Sequence, residues 1–177
     1  MVTIHKISDY DIKKDDGFLF DANIWIYIYY SIGGNKQIEV DKYSAFYEKI
    51  LELGNPIYTN SLVISEIINR LERLEFDRIK VQDGLVNYKR DFRNNAKYSH
   101  IINQIRLLVK NKILSNSKTI NDYFDDFDYS KYVIVDSQID FNDAIHCFGA
   151  VNKGLKIVTN DFDFKKIKHN VEIITIR

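Results

Sequence analysis

Short apolar runs alternate along this chain with longer segments of helical period. The apolar runs predict five strands, at residues 17–20, 57–59, 132–135, 156–159 and 171–176. The segments between them predict helices after residue 21, from an N-cap at Asp41 to Gly54, from 61, over 98–113, from 143 to 153 and over 162–167. Strands that alternate with helices and are apolar on both faces indicate an α/β fold, a five-stranded parallel sheet flanked by helices in three Rossmann-like layers.

A helical insertion at about residues 78–130 interrupts this alternation. Residues 98–113 carry one apolar face, as expected for an amphipathic helix. Lysine and arginine give residues 78–118 a local net charge of +8, whereas residues 122–143 contain seven Asp against Lys131. The basic segment fits phosphate binding and, equally, a solvated helix face. The candidate RNA-binding residues are Lys89, Arg90, Arg93, Arg106 and Lys110.

Three aromatic residues lie among these charges, Tyr88, Phe92 and Tyr98. Aromatic rings of this kind can stack on unpaired bases. Their helical spacing favours packing in a core instead.

Composition limits the class of protein. A chain of 177 residues that is 45% hydrophobic predicts one domain over residues 1–177. With 25 basic and 25 acidic residues, no global field would draw it to nucleic acid or membrane. No apolar run approaches the roughly 18 residues of a membrane-spanning helix. Cys147, the single cysteine, and the lack of a leader pattern at Met1 predict a cytoplasmic protein without a membrane partner.

Four acidic residues lie where a parallel sheet would bring them together. Asp21 follows the first strand, and Asp161 comes two residues after Thr159 at the end of the fourth. Asp143 begins the helix after the third strand, and Glu66 lies in the second turn of the helix after the second strand. Parallel sheets hold their sites at the carboxyl ends of the strands. We therefore expect these four side chains at one edge of the sheet.

A cluster of carboxylates requires a cation, because like charges repel and each loses water on burial. Magnesium and similar hard divalent ions bind carboxylate oxygens and keep water ligands. Two such ions about 3.5 to 4 Å apart can activate a water and stabilise a leaving oxygen in phosphodiester hydrolysis. A zinc site is not expected, because the four histidines and Cys147 lack ligand spacing.

Four motifs in order resemble those of the PIN-domain nucleases, VapC-like ribonucleases among them. They are Phe18-Leu19-Phe20-Asp21-Ala22-Asn23-Ile24-Trp25-Ile26, Ser65-Glu66-Ile67, Asp140-Phe141-Asn142-Asp143-Ala144-Ile145-His146 and Ile157-Val158-Thr159-Asn160-Asp161-Phe162-Asp163-Phe164. The resemblance implies a Mg²⁺- or Mn²⁺-dependent endonuclease, usually acting on RNA, with one or two ions. It implies that Asp21, Glu66, Asp143 and Asp161 are catalytic and hold metal, with Asp163 as a further ligand. Asn23, Thr159 and Asn160 would support them. The insertion departs from the compact VapC-type toxins.

Each of these residues also has a structural interpretation. Asp21 and Asp143 could cap helices, with Asp140 as a rival to Asp143. Glu66 could pair with Arg70 on a solvated helix face, a contact of about 0.3 to 0.5 kcal/mol. Asp163 could simply begin the short helix that follows it. We expect His146 to be a packed or rim residue rather than a general base, and Cys147 to lie in the core.

The leading hypothesis is a metal-dependent endoribonuclease, the toxin of a toxin–antitoxin pair. Its candidate partners are RNA, an antitoxin protein and a second copy of the chain. The alternative is a catalytically silent PIN scaffold that binds RNA or protein. A phosphatase of the haloacid-dehalogenase kind would need a second Asp two residues after the first, where this chain has Asn23.

Overall fold

Six parallel strands form one sheet in the computed structural model, which describes residues 2–30, 36–134 and 139–177. The strands are β1 (Thr3–Lys6), β2 (Phe18–Phe20), β3 (Ile57–Thr59), β4 (Lys118–Thr119), β5 (Lys156–Val158) and β6 (Glu172–Thr175). Their order across the sheet is β1-β6-β5-β2-β3-β4, and every neighbouring pair is parallel. The predicted parallel α/β fold is confirmed, with six strands instead of five.

Helices cover both faces of the sheet. Successive side chains of a strand point to opposite sides, so one strand can pack against helices on both faces. The helices are α1 (Ala22–Tyr29), α2 (Gln37–Leu53), α3 (Ser61–Ile79), α4 (Tyr98–Leu108) and α5 (Phe141–Lys153). Phe18 and Phe20 of β2 pack with residues of α1 to α4 in one hydrophobic cluster. Leu19 packs with residues of α5 in a second cluster. Strand β2 is thus buried on both faces, as its continuous apolar run predicts.

The helical insertion is built mainly on α4, which packs against α3. The predicted apolar face is buried at Ile101, Ile102 and Ile105 of α4 and at Val109 and Ile113 of the π-helical turn Val109–Leu114 that continues it. Tyr98 and Leu108 of that face are half-buried, and Arg106 and Lys110 are exposed, in agreement with an amphipathic helix. A second π-helical turn, Tyr88–Phe92, packs against α3. No helix in the described ranges is both long and apolar enough to cross a membrane.

The third predicted strand, at residues 132–135, is wrong. Residues Ser130–Ile134 form a π-helical turn, and Val135 lies outside the described residues. The Asp128 carboxylate accepts the Lys131 N–H at 3.0 Å, and the Asp128 carbonyl accepts the Tyr132 N–H at 3.0 Å, so helical bonds begin there. A short apolar run cannot be assigned to strand or helix by its periodicity alone.

Two strands escaped prediction because they lie at the edges of the sheet. In β1 every residue is exposed or half-buried, so the strand lacks an apolar run, and β4 has only two residues. The N-cap predicted at Asp41 is also wrong. Helix α2 already begins at Gln37, whose side-chain amide donates to the Asp41 carboxylate at 2.7 Å. The helix ends as predicted, at Gly54, whose φ of 73° is the left-handed conformation that glycine adopts freely.

Candidate metal-binding cleft

A polar cleft of about 410 Å³ opens at the carboxyl ends of β2 and β5. Asp21 enters it directly after β2, and Asp161 enters it shortly after β5. Glu66 reaches it from the second turn of α3, and Asp143 from the first turn of α5. All four acids predicted to meet therefore line one cleft. Asp140, the N-cap of α5, lines it as well, so both rivals at this helix start face the same space.

Asp21 both caps a helix and faces the cleft. Its Oδ1 accepts the Ala22 N–H at 2.6 Å at the start of α1. Its Oδ2 accepts hydrogen bonds from the Asn23 side-chain amide and the Thr159 hydroxyl, both at 2.6 Å. The side chain is only 6% exposed. The two interpretations of Asp21 are thus compatible, because the capping bond uses one oxygen and the neighbouring side chains hold the other.

Thr159 joins the two strand ends that carry Asp21 and Asp161. Besides donating to Asp21, its hydroxyl accepts the Asp161 backbone N–H at 2.9 Å. The next residue, Asn160, donates its backbone N–H to Asn23 Oδ1 at 3.3 Å and its side-chain amide to the Tyr27 hydroxyl at 3.0 Å. The three residues expected to support the acids therefore form one hydrogen-bonded frame behind them.

Burial and mutual repulsion raise the pKa of three acids in the cleft. Burial raises the pKa of Asp21 to about 6, opposed by hydrogen bonds from Thr159 and Ala22. Burial and the charge of Asp21 raise the pKa of Glu66 to about 7. Burial, followed by the charge of Asp140, raises the pKa of Asp143 to about 8. The cleft therefore disfavours simultaneous ionisation of these acids, because burial and mutual repulsion outweigh the positive charge that the protein supplies beside them.

The donor set fits a hard divalent cation in kind, since it consists of carboxylate and amide oxygens. The side chains of this donor set are widely spaced: no three His, Cys, Asp or Glu side chains in the described ranges are grouped closely enough to hold a metal ion. Repulsion between carboxylates opposes close grouping when no cation is present. An ion bound here by Asp21, Glu66, Asp143 or Asp161 would draw these side chains together, keep water ligands and supply an activated water.

Several predicted site residues lie away from the cleft. Asp163 begins a 3₁₀ turn, and its carboxylate pairs with Lys166 at 2.5 Å. The five candidate RNA-binding residues are exposed but do not line the cleft; among them, Arg90 pairs with Asp91, and Arg93 lies 3.9 Å from Glu72. Tyr88 and Tyr98 both pack against Phe92, which is fully buried, so the packing interpretation holds for these three aromatic residues.

The cations of the cleft are Arg70 and Arg177. No ion pair joins Arg70 to Glu66, although Arg70 lowers the pKa of that carboxyl. Sequence reasoning missed Arg177, which follows β6 at the same edge of the sheet where the other strand-end residues were sought. It also missed Tyr27, Asn142 and Phe162. The signals were available, since Tyr27 lies one helical turn after Asn23 and the other two are neighbours of cleft acids.

His146 is packed rather than at the rim. Its side chain is 2% exposed, and its Nδ1 lies 3.1 Å from the Asn60 side-chain amide. Burial lowers the pKa of His146 to about 4, so the ring stays neutral at physiological pH. Cys147 is fully buried in the α5 cluster, as expected.

The parallel sheet and its strand-end acids define an α/β protein with a carboxylate-lined cleft. The PIN-domain sequence model matches residues 18–170, and the chain belongs to the PIN-domain family, a family of nucleases. Its fold is similar to that in the crystal structure of VapBC2 from Rickettsia felis bound to a DNA fragment from their promoter. The two chains are 16% identical over 89% of this chain and 98% of that one, with a TM-score of 0.53.

A second similar structure is PAE2754 from Pyrobaculum aerophilum, at 19% identity over 90% of this chain and 84% of that one, with a TM-score of 0.47. No curated protein matches this chain in sequence.

Proposed function

We propose that this chain is an endoribonuclease that cleaves RNA phosphodiester bonds with the help of Mg²⁺ or Mn²⁺. The observation that carries the proposal is the meeting of Asp21, Glu66 and Asp143 in one cleft with raised pKa values. Such an arrangement costs free energy in the absence of a cation and is typical of functional sites. A divalent ion removes this cost and provides the water and charge stabilisation that phosphodiester hydrolysis needs.

Within this proposal, Asp21, Glu66, Asp143 and Asp161 are the catalytic, metal-holding acids. Asn23 and Thr159 position Asp21 and Asp161 through the hydrogen bonds of the frame, and Asn160 supports Asn23. Asp163 as a further ligand is supported least, because its carboxylate pairs with Lys166. Arg70 and Arg177 would contact substrate phosphates at the cleft, a role that the sequence assigned to the exposed cations of the insertion.

We further propose that the chain is a single-domain cytoplasmic toxin whose cleft is masked by an antitoxin protein. The fold likeness to a chain of the VapBC2 structure is in keeping with this. A second copy of the chain is the other proposed protein partner.

The test is cleavage of labelled RNA oligonucleotides, single-stranded and hairpin, by the purified chain in Mg²⁺, in Mn²⁺ and in EDTA. Cleavage is expected with either metal and not in EDTA. Asp21→Asn should abolish it, and Asp161→Asn should reduce it strongly. Asp41→Asn, which changes an exposed acid of α2, is the matched control and should cleave like the wild type. Asp163→Asn decides whether that residue belongs to the site.

A catalytically silent scaffold is the second candidate, and the open spacing of the acids favours it. A silent scaffold would bind RNA or protein equally well in EDTA and would not cleave in any metal. Wild-type protein that binds Mg²⁺ or Mn²⁺ yet leaves every RNA intact would overturn the nuclease. Metal-dependent cleavage that disappears in Asp21→Asn would exclude the scaffold.

A further inference from the structure

Exposed aromatic side chains are concentrated beside the cleft. Across the described ranges only four are substantially exposed: Phe124 (62%), Tyr129 (52%), Phe162 (52%) and Phe141 (39%). Phe141 follows the cleft residue Asp140 directly, and Phe162 lines the cleft. Single exposed apolar side chains are ordinary, but several exposed rings grouped in one patch are typical of an interaction surface.

Three of these rings belong to one surface. The Phe141 ring centroid lies 6.1 Å from that of Phe124 and 6.4 Å from that of Tyr129. Phe127 lies 6.0 Å from Phe141 and 5.4 Å from the core ring of Phe148, so it ties the surface to the core. The rings are therefore held in place while their outer parts remain in solvent.

The same surface is strongly acidic. Asp125, Asp126 and Asp128 alternate with its rings in sequence, and Asp140 lies beside Phe141; all four are exposed. Neither Asp125 nor Asp126 forms an ion pair with any residue that the structure describes. We call Phe124, Tyr129 and Phe141 with these four acids the acidic aromatic face.

We propose that the acidic aromatic face binds a basic, arginine-bearing segment of a partner polypeptide. Guanidinium groups stack on aromatic rings and pair with carboxylates, so one arginine can use both features of the face. Aromatic residues and arginine are also the residues enriched at the centres of protein interfaces. A nucleic acid fits poorly, since its phosphates would meet four carboxylates, with Lys131 as the nearest cation in sequence.

This inference deepens the partner part of the proposed function, since it names a surface for the partner and the chemistry of its contact. It needs no catalytic step.

The test is the fluorescence anisotropy of a short labelled peptide that alternates arginine and leucine, titrated with the full chain in EDTA. We expect saturable binding that weakens with salt. Phe124→Ala and Phe141→Ala should each raise Kd by about 2- to 30-fold, the range for loss of one cation–π contact. Asp125→Asn combined with Asp126→Asn should raise Kd and reduce the salt dependence. A peptide with glutamate in place of arginine should not bind.

Matched variants separate the face from general effects. Ile134→Ala removes an exposed aliphatic side chain from the same segment, and Glu52→Gln neutralises an exposed acid on α2; both should bind like the wild type. Phe141→Tyr keeps the ring and should retain affinity for the peptide. It is the folded comparison to use if Phe141→Ala proves unstable in a thermal melt. Phe124, the most exposed ring, gives an independent measure.

The proposal is overturned if Phe124→Ala and Phe141→Ala both bind the arginine peptide with the affinity of the wild type and of Phe141→Tyr. Binding of the glutamate peptide with the same affinity as the arginine peptide also overturns it. If Phe124→Ala and Phe141→Ala lose affinity for labelled oligouridylate but not for the arginine peptide, the face is a nucleic-acid surface and the proposal is again overturned. The nuclease is judged separately: a chain that cleaves RNA but ignores the peptide refutes only the face. A chain that binds the peptide but cleaves nothing refutes only the nuclease.

Discussion

The acids of the cleft should make the metal-free protein less stable as pH rises above neutral. Unfolded carboxyl groups ionise near pH 4, whereas folding raises the pKa of Glu66 to about 7 and that of Asp143 to about 8. Between these values the folded state binds more protons than the unfolded state, so the free energy of unfolding falls with rising pH. His146 acts oppositely, but its lowered pKa matters mainly below about pH 6.5, the value for the unfolded side chain.

The expected loss is about 2 kcal/mol between about pH 6.5 and about pH 8, because the loss is about 1.4 kcal/mol per pH unit for each proton that only the folded state keeps. Asp143 contributes more than half, since its pKa is raised furthest. For a chain of this size, 2 kcal/mol corresponds to a fall in melting temperature of roughly 4 to 8 °C. Saturating Mg²⁺ should remove most of this pH dependence, because it neutralises the carboxylates that repel one another.

The assay is denaturant unfolding in EDTA at a series of pH values, followed by the fluorescence of Trp25, the single tryptophan, which is 1% exposed. Asp143→Asn should flatten the profile and shrink the stabilisation by Mg²⁺, whereas Asp41→Asn should reproduce the wild type. A free energy of unfolding that stays constant or rises from neutral to alkaline pH would refute the coupling of these acids. If the pH profile of Asp143→Asn is identical to that of the wild type, Asp143 is not the main source of the pH dependence.

Four further substitutions test the frame and the fold. Thr159→Val removes hydrogen bonds to Asp21 and Asp161 and should cost about 1 to 3 kcal/mol in chemical unfolding and about 10- to 100-fold in cleavage rate. Thr59→Val, which removes a buried hydroxyl that has no hydrogen-bond partner among the described residues, should be neutral or stabilising. Phe92→Ala, at a fully buried ring of the insertion, should cost about 3 to 5 kcal/mol in a single unfolding transition; two separate transitions would mean that the insertion unfolds alone. Gly54→Ala should cost about 1 kcal/mol in the same assay because φ is 73° there, and a stabilised variant would contradict this.

The parts of the fold that sequence could predict are those where local pattern and burial agree. Phe18–Phe20 reads as a central strand because both of its faces meet helices, and the strand is buried throughout. Strand β1 could not be recognised, because an edge strand with exposed side chains carries no apolar run and depends on its pairing with β6. The strand prediction at residues 132–134 was wrong for the opposite reason. Their apolar character serves packing of Tyr132 against Phe127 and Phe148, not strand pairing.

Asp21, Glu66 and Asp161 were predictable because the strand-end rule needs only the order of strands and helices. The strand expected before Asp143 does not form, so only its PIN-like motif correctly indicated that acid. The spacing between the side chains of the cleft acids was not predictable, since it depends on how the helix starts are oriented and on charge repulsion. Arg177 obeys the same rule as Asp21 but was overlooked because only acids were sought. The basic residues of the insertion lie outside the cleft, and a charge count along the sequence could not show this because it does not reveal which face of a helix meets the site. Their binding of RNA stays a prediction.

The hydrogen bonds of Asp21 limit how it can hold an ion. A carboxylate offers about four acceptor positions, two on each oxygen. Asn23 and Thr159 use both positions on Oδ2, and the cap to Ala22 uses one on Oδ1. One position on Oδ1 remains, so Asp21 can bind a metal through that oxygen alone unless the frame opens. In the proposed site the frame would therefore leave Asp21 one oxygen position for an ion and fix its direction, and the other ligands would come from Glu66, Asp143, Asp161 and water.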